Sequence, residues 1–298
     1  MMRPMDGQHG RKPLFYALMA LAMISWGGSW TVAKWAAGYP AELTAFWRFA
    51  INAVSFLPVL LVLREPLSLP KGARLWTFLS AAALALYNML FLTAMKHGSG
   101  GYGGVLVPTL NPLFSFLFAA LFARHRIIGL TLAGLAFGLA GGVLQIIGPD
   151  FSPAAFTRPE NVILVAAAAT YALLTHASAK AQKGVGVLRY GFWTSVLCAL
   201  MLLPFAWTKG PFDFARLGPG FWLDASYLGL AAGTFGTTLY FEATRRIGAA
   251  RASSFAFLVP VSALAIAFVF LGEIPAWTSV AGGAVSVAAV LLIHRAKA

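Results

Sequence analysis

Long apolar runs alternate with short polar breaks along almost the whole chain. Each run has roughly the 20 residues that an α-helix needs to cross the hydrocarbon core of a bilayer. None of them alternates apolar and polar residues over segments of about ten, as the strands of a membrane β-barrel do. The pattern therefore predicts ten transmembrane helices, at residues 14–37, 42–63, 73–96, 100–123, 126–147, 161–181, 186–208, 220–244, 250–271 and 275–294.

The composition supports this interpretation, because 59% of the residues are hydrophobic and only 10% are charged. In soluble domains roughly a quarter of the residues are charged. Cys198 is the only cysteine and lies in the seventh run, so the sequence offers no disulfide or thiolate-metal framework. We expect an all-α integral membrane protein without a metal or a cofactor.

The net charge of +13 could suggest a nucleic-acid partner, but its distribution indicates membrane topology. If the N-terminus is cytoplasmic, ten spans return the C-terminus to the same side. Of the 22 Lys and Arg residues, Lys34 and Arg48 lie within spans and four lie outside, so sixteen face the cytoplasm. The outer four are Lys96, Arg158, Lys209 and Arg216. This asymmetry obeys the positive-inside rule. We expect a bacterial-type plasma membrane, two cytoplasmic termini, the lipid bilayer as partner and no nucleic acid.

The second half of the chain repeats the first. A shift of 148 residues places 109–125 on 257–273 without a gap and superposes Pro112 on Pro260. Because five spans are an odd number, the second copy enters the membrane from the opposite face, which is the inverted repeat of many secondary transporters. The predicted organisation is a cytoplasmic tail, 1–13, and two five-helix units, 14–147 and 161–294.

Pro112 and Pro260 each interrupt an apolar run. A proline inside a helix costs about 3 kcal/mol in water, but a transmembrane helix tolerates it where neighbouring groups or water satisfy the freed carbonyl. Two interpretations follow, a packing kink and a hinge beside a cavity.

Several motifs resemble those of the EamA branch of the drug/metabolite transporter superfamily. They are the 5+5 repeat, "WGGSWTVAKW" in span one, Gly100 and Gly248 opening spans four and nine, the paired prolines, and Glu273 after "FLG". The resemblance covers nearly the whole chain and is strongest to the YddG-type exporters of aromatic amino acids. It implies export of amino acids and of other flat organic compounds. The first half has His125 where the second has Glu273, so the resemblance implies no role for an acid in the first half.

The sequence contains no catalytic constellation. It has no HExxH motif, no paired core carboxylates and no clustered histidines. The segment "HGSGGYGGV", 97–105, lacks the Lys and Ser/Thr of a phosphate loop and the flanking sequence of a potassium filter. Its glycines predict close helix packing instead. We therefore do not expect an enzyme.

Charges inside the spans are candidates for function, because burying one costs at least roughly 2.5 kcal/mol. Lys34 and Arg48 could each attract a substrate carboxylate or extend to the membrane interface. Glu242 precedes Arg245 and Arg246 at helical ion-pair spacing, which favours a structural pair over a proton site.

Polar and aromatic residues within the spans form the candidate substrate site. Trp and Tyr usually gather at the membrane interfaces, so those deep in a span need another partner. Helix packing with an internally bonded polar tip is one interpretation. The other is a midplane cavity that stacks a substrate side chain and binds its polar groups. The candidates are Trp26, Tyr87, Asn88, Tyr102, Asn111, Tyr171, His176 and Tyr240.

These features predict a secondary transporter that exports aromatic and other neutral amino acids by alternating access. A multidrug or nucleoside exporter of the same fold is an alternative, because apolar pockets discriminate weakly between similar solutes. An ion channel is a further alternative. The sequence leaves the oligomeric state open, a monomer included.

Overall fold

The computed structural model describes residues 11–123, 129–240, 242 and 255–295. Within these ranges the chain forms ten long helices, two short 3₁₀ helices at Ala36–Gly38 and Pro153–Thr157, and no strand, which confirms the all-α prediction. Nine of them are α1 (Arg11–Trp35), α2 (Ala41–Val62), α3 (Lys71–His97), α4 (Gly100–Ala123), α5 (Leu130–Ile147), α6 (Pro159–Ala181), α7 (Val187–Trp207), α9 (Leu258–Leu271) and α10 (Trp277–Arg295). Helix α8 begins as Pro219–Ser226 and continues as a π-helical segment, Tyr227–Gly236.

Length and hydropathy allow α1, α2, α3, α6 and α7 each to cross a bilayer. The apolar stretches of α5, α9 and α10 are shorter within the described residues. We call the end of the bundle where α1 begins and α10 ends the terminal face, and the opposite end the distal face.

Helix packing relates the two halves by a pseudo-two-fold axis. Helix α1 packs against α8 and α9, just as α6 packs against α3 and α4. The pairs α2 with α7, α4 with α9 and α5 with α10 cross between equivalent helices. These contacts between the halves therefore have counterparts when the halves are exchanged, as expected for two inverted five-helix repeats.

Glycines at the start of α4 permit close packing, as the sequence predicts. A Cβ atom on Gly103 would lie 2.8 Å from the Trp30 ring, and one on Gly104 would lie 2.4 Å from the Ala263 Cβ. Only a residue without a side chain allows α1, α4 and α9 to approach this closely.

The two repeated prolines occupy different positions in their helices. Helix α4 continues through Pro112. Pro260 lies in the first turn of α9, after a turn at 256–257, where the missing N–H has no helical partner to lose. The expected unbroken helix over 250–271 therefore differs from the structure, because an apolar pattern carries no signal for a helix start inside the run.

Candidate functional site

Arg48 of α2 lies inside the bundle. Its Nη1 donates a hydrogen bond of 2.6 Å to Oδ1 of the fully buried Asn88, whose Nδ2 donates to the Leu84 carbonyl at 2.8 Å. Arg48 is the eighth residue of α2, about 10 Å from the distal end of that helix at 1.5 Å per residue. The guanidinium therefore bonds within the bundle, and its attraction of a substrate carboxylate stays a prediction.

The Arg48 guanidinium has no anionic partner among the residues that the structure describes. No carboxylate lies within salt-bridge distance of it in the described part of the chain, and its buried Nε has no hydrogen-bond partner there. A buried charge without a counter-ion is costly, so a site of this kind favours an incoming anion.

Two tyrosine side chains form an aromatic wall beside the Arg48 guanidinium. The rings of Tyr87 on α3 and Tyr171 on α6 meet edge to face at 4.9 Å, and Tyr87 also stacks on Phe91 at 5.9 Å. The Arg48 guanidinium interacts electrostatically with the hydroxyl groups of both tyrosines. The two halves of the protein thus contribute one ring each to the same wall.

Trp26 joins this region through the π-helical segment of α8. Its Nε1 donates to the Ala232 carbonyl at 2.8 Å, and its ring lies 5.3 Å from that of Tyr240. Tyr240 is within electrostatic reach of Tyr171. A π-helix offsets its carbonyls from the ordinary i−4 pattern, and such segments frequently occur at functional sites.

Helix α2 presents a line of polar residues toward α3 and α8. Thr234 Oγ1 donates to Asn52 Oδ1 at 2.5 Å and also forms a hydrogen bond with Ser55 Oγ. Arg48, Asn52 and Ser55 follow the i, i+4, i+7 spacing of one helical face. This line is not among the residues predicted from the sequence, although its spacing within an apolar helix is a readable signal.

We name the residues that the structure brings together the Arg48 site. They are Trp26, Arg48, Asn52, Ser55, Tyr87, Asn88, Tyr171, Thr234 and Tyr240. Five of them, Trp26, Tyr87, Asn88, Tyr171 and Tyr240, are among the candidates from sequence.

The other three candidates lie elsewhere. Ser115 Oγ donates to Asn111 Oδ1 at 3.3 Å, and His176 Nε2 lies 3.0 Å from the Ser115 carbonyl oxygen, so this trio links α4 to α6. Tyr102 lines a separate cavity of about 320 Å³ at the distal face. Residues that the sequence places at similar depths in their spans therefore do not all lie in one pocket.

Two further charges hold the turn between α3 and α4. Lys34 Nζ donates to the carbonyls of Met95 and Gly98 at 3.0 and 2.7 Å, which neutralises the negative end of α3. The carboxylate of Glu273 accepts from Ser99 Oγ and from the N–H groups of Gly100 and Gly101, at 2.6 to 3.0 Å. It therefore caps the start of α4.

Lys34 thus stabilises the end of α3 at the distal face and is not part of the Arg48 site. Glu242 is described, but its expected partners Arg245 and Arg246 lie outside the described residues, as does His125. The ion pair expected of Glu242 therefore stays a prediction.

The sequence of this chain matches a known protein family. The model of the EamA-like transporter family matches residues 14–147 and 159–295. A protein of Streptantibioticus cattleyicolor named "Probable terminal-alkyne amino-acid exporter" is 29% identical over 93% of this chain and 95% of its own length. The uncharacterized transporter YyaM of Bacillus subtilis is 24% identical over 85% of each chain. A crystal structure covering 96% of this chain and 99% of its own matches with a TM-score of 0.64 at 20% identity, which shows a shared fold.

Proposed function

The chain belongs to the EamA-like transporter family, and from this premise we propose that it exports aromatic and other neutral amino acids through the Arg48 site. It is a multi-pass membrane transporter, and the family suggests small-molecule substrates. The name of the Streptantibioticus cattleyicolor relative supports an amino acid as the solute.

The observation that carries the proposal is the guanidinium of the half-buried Arg48, whose Nε is buried and which lacks an anionic partner in the described residues. The carboxylate of an amino acid supplies the missing charge, and a guanidinium can bind it through two parallel hydrogen bonds. This chemistry favours zwitterions and anions over the cationic compounds that many multidrug exporters carry.

The surroundings of Arg48 suit the rest of an amino acid. The ring wall of Tyr87 and Tyr171 offers stacking contacts to an aromatic side chain. Asn52 Oδ1, one helical turn further along α2, has a second lone pair with which to accept from the ammonium group.

The position of the Arg48 site supports alternating access. Helices α1, α2 and α3 of the first half and α6 and α8 of the second surround it, so a rocking movement between the halves opens it to one face at a time. Pro112 and Pro260 are our proposed hinges for this movement. We further propose cytoplasmic termini at the bacterial-type inner membrane, and export toward the distal face.

Transport into sealed liposomes tests the proposal. We expect saturable exchange of phenylalanine and weaker exchange of threonine, with little transport of a nucleoside or of a cationic dye. Replacing Arg48 with Gln should lower the apparent affinity for phenylalanine about thirtyfold, since a hydrogen-bonded charge contributes about 2 kcal/mol. Transport of the dye in preference to all amino acids would contradict the proposal.

Arg189→Gln is the matched control for this experiment. Arg189 lies 3.7 Å from Glu65 in a partly exposed ion pair between α7 and the loop after α2. Pairs of this kind contribute little, so the substitution should leave phenylalanine transport unchanged.

A further inference from the structure

Two tryptophans occupy equivalent positions in the two halves. Trp47 is the seventh residue of α2, and Trp193 is the seventh residue of α7. A shift of 146 residues places one on the other, together with the phenylalanine that precedes each. Helix α2 begins at the distal face and α7 at the terminal face, so the two indoles lie near opposite faces of the bundle.

Each indole is bonded to the other half of the protein. Trp47 Nε1 donates to the Pro211 carbonyl at 2.9 Å, in the loop between α7 and α8. Trp193 Nε1 donates to the Leu67 carbonyl at 2.6 Å, in the loop between α2 and α3. These loops are themselves equivalent in the repeat, so the two bonds form a symmetric pair. The halves are therefore joined at both faces in the same structure.

Further contacts hold the same two loops. At the distal face, the Trp47 ring packs on the rings of Phe212 and Phe214, each at 6.0 Å. At the terminal face, Arg189 Nη1 of α7 donates to the Ser68 carbonyl at 3.2 Å, beside the acceptor of the second indole. Each loop is thus attached to the opposite half by more than one contact.

Helices α2 and α7 pack against each other between the two bonds. A Cβ atom on Gly191 of α7 would lie 2.7 Å from the Phe56 ring of α2. Buried side chains continue along both helices, with Phe49, Leu60 and Leu202 at most 3% exposed. We call α2, α7 and the bonds of the two indoles the α2–α7 seam.

The seam has the features of a joint between the halves. A rocking movement opens contacts between the halves at one face while those at the other face close. The seam is bonded at both faces at once, and separating it at either face would pull apart the close-packed side chains between the bonds. Two gates that are closed at the same moment would form the same bonds, and cross-linking distinguishes these two interpretations.

We propose that the α2–α7 seam stays closed throughout transport and that the two halves rock about it. The opening then lies at α4 and α9, which pack against each other and carry Pro112 and Pro260. This inference rests on the alternating access of the proposed function, and it does not depend on which solute is carried.

Cross-links across the seam test this proposal in liposomes, in a Cys198→Ala background. Trp47→Cys with Pro211→Cys bridges the seam at the distal face. Trp193→Cys with Leu67→Cys bridges it at the terminal face. In both pairs a short bifunctional methanethiosulfonate takes the place of the indole ring. The two pairs are independent, so one still tests the seam if the other variant fails to fold or to transport.

The matched pair across α4 and α9 is Gly101→Cys with Ala267→Cys. A Cβ atom on Gly101 would lie 3.2 Å from that of Ala267. Cβ atoms in disulfides are about 3.8 Å apart, so oxidation can join this pair directly. Gly101 is the second residue of α4, so the link holds the distal face, as the first seam pair does. Each single-cysteine variant, treated alike, controls for modification without a link.

The exchange of phenylalanine before linking tests the proposed function, whereas its change on linking reports on the seam. If the protein carries another solute, the same comparison is made with that solute. Mass spectrometry gives the fraction of protein that is linked.

We expect each seam link to leave the initial rate of exchange within about twofold of the unlinked protein. The link between α4 and α9 should lower the rate about tenfold or more, because the distal face then stays closed, and reductant should restore it. Loss of exchange with either seam link, reversed by reductant, would overturn the proposal, because the seam would then be a gate. Unchanged exchange with α4 and α9 linked would overturn it as well.

Discussion

The aromatic wall gives a quantitative prediction for Tyr87. Its ring meets Tyr171 at 4.9 Å and Phe91 at 5.9 Å, and the residue is half-buried. We expect the substrate ring to stack on the part that these two rings leave uncovered. An aromatic pair contributes about 0.5 to 1.5 kcal/mol beyond its buried area. Truncation to alanine removes this contact and some buried surface. We therefore expect a loss of about 1 to 2 kcal/mol, roughly a 5-fold to 30-fold rise in half-saturation for phenylalanine.

The assay is concentration-dependent phenylalanine exchange in liposomes that contain purified, folded variants. Tyr87→Phe keeps the ring and loses only the hydroxyl, so its half-saturation should change less than about threefold, or 0.6 kcal/mol. Trp26→Ala should resemble Tyr87→Ala, because the Trp26 ring packs on Tyr240 in the same region.

Trp277→Ala is the control for a large aromatic residue outside the site. Trp277 is 54% exposed and its ring lies 5.9 Å from that of Phe151 at the distal face, as an interfacial anchor would. We expect its half-saturation to stay unchanged. Unchanged values for Tyr87→Ala and Trp26→Ala together with a large change for Trp277→Ala would refute the placement of the site.

Three other predictions concern topology, coupling and packing. Cysteines at Ser152 and Lys183, in a background without Cys198, should label from opposite sides of the membrane; labelling of both from outside would overturn the ten-span topology. Glu242→Gln should reduce transport only modestly, and loss of both flux and its pH dependence in folded protein would make Glu242 a proton site. Gly104→Ala should destabilise the protein by about 1 to 3 kcal/mol in thermal unfolding, because its Cβ would overlap the neighbouring helix. Gly184→Ala is the control, because its Cβ would enter open space. Equal unfolding midpoints for the two variants would contradict the packing.

The lengths of the apolar runs predicted the architecture well, because a bilayer imposes length and polarity on each helix. Eight of the ten predicted starts lie within three residues of the observed ones. The exceptions are α5, which begins at Leu130, and α9, which begins at Leu258. The π-helical segment 227–236 also escaped prediction; within it, Gly229 lies against α2 and Gly236 against α1.

The candidate site was only partly predictable. Sequence position gives the depth of a residue in its span, but it does not say which neighbour the side chain meets. The rings of Tyr87 and Tyr171 contact each other. Asn111 and His176, which are also polar residues within spans, instead contact Ser115 between α4 and α6. Arg48 remained ambiguous for the same reason, since only packing against α3 places Asn88 beside it.

The most direct test of the central claim compares phenylalanine with phenylalaninamide, which lacks the carboxylate, in liposomes with the parent protein and with Arg48→Gln. If Arg48 binds the substrate carboxylate, the parent protein should prefer phenylalanine about thirtyfold, or 2 kcal/mol, and Arg48→Gln should treat the two solutes nearly alike. An undiminished preference for phenylalanine in folded Arg48→Gln would contradict the claim that this guanidinium recognises the transported amino acid.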